Sequence, residues 1–441
     1  MPIYPNLHAS FTPTDWATWI AEQQESEQLF VFSSLPDHLA EETFEALPIF
    51  LQKRLIEQLP KKEGAHLLTI LTPDDRTALL QDCSSHVLEE LLKRLPLDKR
   101  KEAVALLKYP EGSVGRLMTP DYLSVLPDWT VEKTLDEVRL YRGKTETLDM
   151  IYIVDASNKL LDDVLLKDLL FVDRNKQLVD LADYQYVALL VDQPDESAIS
   201  IFQQMNRNAL PVISPDGTLL GIVTIDDILR LSDQAATEDI QKIGGTEALS
   251  EPYLEAPFLE LMRKRAGWLV LLFLGEMLTA TALAFFEQEI SKAVVLALFL
   301  PLIISSGGNA GSQASTLIIR AIALGEISSQ NWHRVVKREI FSGIVLGGIL
   351  GTVGFFRVVV WGVTTHIYGE HWLLLAIAIF CSLIGVVSWG TLSGACLPLI
   401  LKKMRLDPAT SSAPFVATLV DVVGVIIYFF VAIHILKGTL L

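Results

Sequence analysis

Asn309 and Gln313 stand four residues apart in Pro301-Leu302-Ile303-Ile304-Ser305-Ser306-Gly307-Gly308-Asn309-Ala310-Gly311-Ser312-Gln313, within an apolar run long enough to cross a bilayer. A second such run carries a carboxylate, Asp421, in Thr418-Leu419-Val420-Asp421-Val422-Val423-Gly424. A charge at mid-span costs at least about 2.5–3.5 kcal/mol on insertion scales, so it marks a functional site by default. Polar or Gly-rich backbone at membrane depth is tolerated only where protein covers it or water reaches it. The spacing of four puts Asn309 and Gln313 on one helix face. A helix-packing seam would account for Gly307 and Gly308 but needs neither amide, and the reading puts both glycines in the ion path, where they let backbone approach the ion. Carboxylate, amides and closely approaching backbone together suit a path for a hydrated cation. Glu276, in the first apolar run, is a further candidate lining residue, and Arg357 either snorkels or pairs structurally.

Two other constellations carry less. Gly143-Lys144-Thr145 copies the end of a phosphate-binding loop, but the glycine required five residues earlier is Val138, and no strand leads into it. Ser393 and His434 offer a nucleophile and a base for an intramembrane hydrolase, but no third group orients the histidine. The reading is of a protein that is not an enzyme.

Five apolar segments position the path, at about 266–286, 293–320, 338–362, 372–401 and 411–436. Basic residues gather on one side of them: Arg263, Lys264 and Arg265, then Arg334, Lys337 and Arg338, then Lys402, Lys403 and Arg405. The positive-inside rule puts the N-terminus in the cytosol and the C-terminus outside. No basic stretch followed by a short apolar one opens the chain, and three cysteines form no framework, so a reducing compartment is expected for the first half.

The charge is divided unevenly. Residues 1–256 hold 44 acidic and 23 basic side chains, against 9 and 13 in residues 257–441. An acidic first half excludes nucleic acid as a partner and suits cations. Within residues 1–112, Leu35-Pro36, Leu47-Pro48, Leu59-Pro60 and Leu95-Pro96 keep a period of twelve, which predicts short stacked helices in an α-solenoid. In residues 113–232, Tyr152–Leu161 recurs 59 residues later as Pro211–Leu220, each copy reading strand, turn, strand, then helix. With Gly221-Ile222-Val223-Thr224-Ile225-Asp226-Asp227, the pair resembles tandem CBS domains, an α/β module that implies an adenine nucleotide as ligand. The first copy departs from that family, with Asp162-Asp163 where a Gly and an apolar residue are usual. Residues 233–265 read as a connecting helix with a break at Gly244-Gly245, before a membrane domain of residues 266–441.

Pro301 through Gln313, then Arg320-Ala321-Ile322-Ala323-Leu324-Gly325-Glu326-Ile327, Asp407-Pro408-Ala409 and Pro414 to Asp421, resemble the signature of the MgtE family of magnesium transporters. The order of parts agrees over nearly the whole chain. The resemblance implies a multidomain membrane protein of a bacterial cytoplasmic membrane, and a homodimer whose pore lies on the two-fold axis with Mg²⁺ held at Asp421. It also implies closure of that pore by cytosolic Mg²⁺ bound between the acidic domains and the connecting helix. Asp226, Asp227, Glu238, Asp239 and Glu247 are the candidates for those regulatory sites. The alternative is a CBS-regulated transporter of another divalent cation or solute.

Overall fold

The computed structural model describes residues 11–81, 83–141, 145–249, 251–327, 331–365 and 367–440. They fall into two compact units, Met1–Asp233 and Gln234–Leu441. Gly143 and Lys144, two of the three residues of the stretch dismissed above, lie outside the described residues.

The first unit opens with eight helices: α1 (Pro13–Ala21), α2 (Glu25–Ser33), α3 (Asp37–Ala46), α4 (Ile49–Gln58), α5 (Lys61–Ile70), α6 (Pro73–Gln81), α7 (Ser85–Arg94) and α8 (Leu97–Leu106). Their first residues are twelve apart, as the Leu-Pro beat requires. Leu47, Leu59 and Leu95 end their helices in extended backbone, the conformation that a following proline imposes. Leu51, Leu55, Ile56, Leu67, Leu68 and Leu79 form part of one continuous core, because no single ten-residue helix buries its own apolar face. A second period of 24 emerges only in three dimensions. Gln52, Arg76 and Arg100 each donate to the carbonyls eight and five residues earlier, at 2.5–3.2 Å. Every second helix thus caps the otherwise unpaired carbonyl end of the one before it.

Next come α9 (Val114–Leu117), β1 (Ser124–Val125), α10 (Val131–Leu140), β2 (Met150–Val154), β3 (Leu160–Leu165), α11 (Leu166–Leu169), β4 (Leu189–Leu190), α12 (Asp195–Gln204), β5 (Ala209–Ile213), β6 (Leu219–Thr224) and α13 (Ile225–Ile243). The strands make two three-stranded sheets, β1-β2-β3 and β4-β5-β6. In each, the first pair is parallel and the second antiparallel. The connecting helix is a continuation of the last CBS helix and stops at Ile243, at the break read at Gly244-Gly245. Gly245 ends it with φ of +77°, a conformation open to glycine.

The second unit holds five helices of spanning length. These are α14 (Phe258–Phe285), α16 (Leu300–Ala323), α17 (Trp332–Thr365), α18 (Trp372–Lys403) and α19 (Ala413–Leu436), with the short α15 (Glu287–Lys292) after the first. The backbones of α16 and α18 touch. A Cβ on Gly311 would sit 2.9 Å from the Gly390 carbonyl oxygen, and Gly390 and Gly394 abut Gly307 and Gly311 as closely. On α17, a Cβ on Gly343 would come 2.5 Å from Ser388 Cα. Such approach is what small residues provide where no hydrophobic force drives helices together.

Candidate functional site

Residues 300–323 form an unbroken helix, despite the proline and glycines. Pro301 occupies the first turn, where its missing N–H has no partner to lose. Ile303, Gly307, Ala310, Gly311, Ala314 and Ile318 are buried on one side, while Ser305, Asn309, Gln313, Thr316 and Arg320 are exposed on the other. The helix is therefore inverted for a span: its outward stripe is polar. Gly307 and Gly308 lie off that stripe. A Cβ on Gly307 would meet Val386 Cγ1 at 2.5 Å, and one on Gly308 would meet Ala417 Cβ at 3.5 Å. Their immediate role in this bundle is packing, with Asn309 and Gln313 carrying the polar face.

Asp421, half-buried on α19, lies beside Glu276 of α14, the two carboxyls within hydrogen-bonding reach. Gly275 lets the two helices meet, since a Cβ there would come 2.7 Å from Thr418 Cγ2. The structure thus brings Glu276 to Asp421. Two carboxylates so placed repel across a medium poorer in water than bulk, and a cation between them relieves that repulsion. Arg357 stands apart on α17, exposed, with its guanidinium 5.9 Å from the Trp361 ring centre. Ser393 Oγ donates to the Gly390 carbonyl at 3.0 Å, and the His434 ring meets the Phe430 carbonyl at 2.8 Å. Neither addresses the other.

The N-terminal end of α19 is held from three sides. Trp268 Nε1 donates to Ser412 Oγ at 3.1 Å, Ser315 Oγ to the Ser411 carbonyl at 2.9 Å, and Ser312 Oγ to the Ala413 carbonyl at 3.2 Å. Gly245 packs where a Cβ would strike Trp268 at 2.9 Å and Pro414 at 3.2 Å. Lys242 Nζ reaches Asp407 Oδ2 at 2.9 Å and Glu238 Oε2 at 3.4 Å. Burial, then the neighbouring Asp407, raises the pKa of Asp239. Glu247 is exposed.

In the first unit, Asp74, Asp75 and Asp227 place one carboxylate oxygen each within 4.8 Å of the others. Asp74 is 5% exposed and Asp227 6%. Arg230 pairs with Asp75 at 2.8 Å and also with Asp227, and Thr224 Oγ1 donates to Asp227 at 2.9 Å. Oδ1 of Asp74 is buried with no hydrogen-bond partner among the described residues. Burial, and then Asp227, Asp75 and Glu146, push the Asp74 carboxyl well above its usual range. Burial followed by Asp226, Asp227 and Asp75 takes Glu146 to about 7. Four carboxyls more than one guanidinium can neutralise, and an orphaned oxygen among them, fit a divalent cation with oxygen ligands. The sequence reading had named Asp226 and Asp227 here and missed Asp74, Asp75 and Glu146. The beat offered no signal, since the matching positions include Thr14, Ser26, His38, Lys62, His86 and Asp98, and a carboxylate at Asp74 does not stand out among them.

Five apolar helices, one with a polar stripe, and acidic soluble domains define a multi-pass membrane transporter rather than an enzyme. Family models agree: residues 300–431 match the divalent cation transporter model of MgtE, residues 11–112 the MgtE intracellular N domain, and residues 180–233 a CBS domain. The magnesium transporter MgtE of Thermus thermophilus is 36% identical over 333 residues, 76% of this chain and 72% of that one. The magnesium transporter MgtE of Enterococcus faecalis is 29% identical, over 89% of this chain and 92% of that one. The crystal structure of the cytosolic domain of the Mg²⁺ channel MgtE in complex with ATP has a TM-score of 0.48 at 28% identity, covering 50% of this chain and 91% of that chain. This chain belongs to the MgtE family of divalent cation transporters.

Proposed function

We propose that the protein is a homodimeric channel that admits Mg²⁺ to the cytosol down its electrochemical gradient and closes when cytosolic Mg²⁺ is high. The observation that carries the reading is the Asp421–Glu276 carboxyl pair among the spans. The exposed polar stripe of α16 supports it, since such a face is costly against lipid and suits a water-filled path shared with a second copy. Mg²⁺ dehydrates reluctantly and keeps several waters. Asp421 and Glu276 would therefore act through the ion's water shell, with Asn309 and Gln313 orienting those waters.

No energy source beyond the membrane is needed. A divalent ion gains about 4.6 kcal/mol per 100 mV, at about 2.3 for each charge. The basic residues flanking the spans favour a cytosolic N-terminus in a bacterial cytoplasmic membrane. A path for another divalent cation is the second reading, because carboxyls and amides alone do not exclude one.

For closure, Asp74, Asp75, Asp226, Asp227 and Glu146 would hold regulatory Mg²⁺ in the first unit. Glu238, Asp239 and Asp407 form a separate acidic group at the far end of α13. Because α13 runs unbroken from Ile225 to Ile243, it carries residues of both groups. A ligand that favours the closed arrangement shifts the population towards it by its differential affinity. The decisive experiment is Mg²⁺ flux into proteoliposomes with the full chain and with residues 1–224 removed, which leaves α13 whole. The full chain should conduct at low internal Mg²⁺ and close at millimolar, and the truncated one should conduct at both. Normal closure of the truncated protein would move the sensor into the membrane unit.

A further inference from the structure

The two CBS copies differ most on one strand. In the second copy, Thr119 and Ile222 exchange two backbone hydrogen bonds of 2.8 and 2.9 Å, and a Cβ on Gly221 would come 2.7 Å from the Thr119 carbonyl oxygen. In the first copy, the matching positions on β3 are Asp162 and Asp163. The Asp162 carboxylate replaces that backbone contact. It accepts from the N–H of Asp163 at 2.9 Å, of Asp183 at 2.8 Å and of Tyr184 at 3.1 Å. The incoming segment is thus held at side-chain length, and beside it lies a cavity of about 280 Å³.

Asp163, Asp168, Asp183 and Arg207 stand on the walls of that cavity, and Leu165, Leu169, Val172 and Leu181 give it an apolar floor. Arg207 is weakly engaged, with Nη2 3.5 Å from Asp163 and Nη1 3.2 Å from Met150 Sδ. The Asp163 side chain is only 3% exposed. Across the β2–β3 register lies Tyr152, 1% exposed, whose hydroxyl has no hydrogen-bond partner among the described residues. Its charged neighbours are Asp163 and Arg207, and it lies behind the cavity's lining in a core with Met150 and Val154. An excess of negative charge lines the cavity. Adenine nucleotide, which the CBS resemblance implies, would bring phosphates against three carboxylates and a single guanidinium that is itself paired with Asp163. The residues of the first copy do not fit it.

We propose that the cavity of the first CBS copy binds an organic cation of the alkyl polyamine class. Its ammonium groups meet Asp163, Asp168 and Asp183, and its hydrocarbon covers the apolar floor. A metal ion, which wants oxygen all round, would leave that floor unused.

The test is calorimetric titration of the purified full-length protein with spermidine, Mg²⁺, AMP and ATP. One spermidine should bind per chain, about tenfold more weakly in Asp163→Asn or Asp168→Asn, the equivalent of about 1.4 kcal/mol. Arg207→Gln should tighten it, because a competing cation is gone, and a misfolded variant could not mimic that gain. Asp75→Asn, which alters the other acidic cluster, should leave it unchanged. Nucleotide binding that depends on Asp168 would overturn the proposal. So would spermidine that fails to saturate, or that is lost in Asp75→Asn alone.

Discussion

Nζ of Lys242 sits 2.9 Å from Oδ2 of Asp407, while Oδ1 of the same carboxylate accepts the Ala409 N–H at 2.8 Å. One side chain therefore both shapes the turn before α19 and ties that turn to the end of α13. Removing the tie with Asp407→Asn or Lys242→Met should raise the Mg²⁺ needed for half-closure by about fivefold. That corresponds to about 1 kcal/mol, the upper range for a partly exposed pair. Flux measured against internal Mg²⁺ checks it, and an unmoved midpoint would make the contact purely local.

Asp421→Ala should abolish Mg²⁺ uptake while leaving a folded protein, and Asp421→Asn should be nearly as damaging because shape is kept and charge is lost. Glu276→Gln should reduce uptake less, since Asp421 remains. Liposome flux read beside size-exclusion profiles separates conduction from assembly. Wild-type flux in Asp421→Ala would remove this residue from the path.

Gly307 and Gly308 should respond differently to the same methyl group. Gly307→Ala drives a Cβ to 2.5 Å from Val386 Cγ1, whereas Gly308→Ala meets an ordinary 3.5 Å contact with Ala417. Overpacking of this kind costs about 1–3 kcal/mol. The first variant should therefore lower thermal stability and yield, and the second should change stability little. Equal melting temperatures for the two would contradict the packing described.

Magnesium should stabilise the first unit more at pH 8 than at pH 5. Glu146 is raised from the ordinary 4.5 to about 7, by burial and by Asp226, Asp227 and Asp75. The folded state thus binds more protons than the unfolded chain between those values. The contribution of Glu146 is fully present below about pH 4.5 and is lost as pH rises through about 7. Asp74 shifts in the same direction. Where both are ionised, a bound cation offsets their repulsion. Unfolding temperature with and without Mg²⁺ at the two pH values is the measurement.

The beat of Leu35-Pro36, Leu47-Pro48, Leu59-Pro60 and Leu95-Pro96 matches the helix starts at Asp37, Ile49, Lys61 and Leu97, because proline acts on its own neighbour and leaves a local mark. The five spans and the polar face of α16 were legible for a similar reason, composition and spacing within one segment. Two things were not. The glycines of the signature looked like permeable backbone, but their neighbours Val386, Val420 and Ala417 come from helices more than seventy residues away. Asp74 meets Asp227 only after some 150 residues of chain have folded. A single carboxylate in a sequence reads as surface until its partners are known.

The glycine contacts between α16 and α18 have a mechanical counterpart in α14. None of the 28 residues of α14 is fully buried, while α16 and α18 meet backbone to backbone. Stiffness is therefore distributed unequally: two helices are clamped, and a third rests on α19 along one edge. Thermal fluctuation should concentrate in the compliant helix, which is also the one bearing Glu276. Amide exchange along α14 should run faster than along α16 at equal depth. The carboxyl pair would then have one fixed member and one that can swing, and the proposed path would widen when Glu276 leaves Asp421.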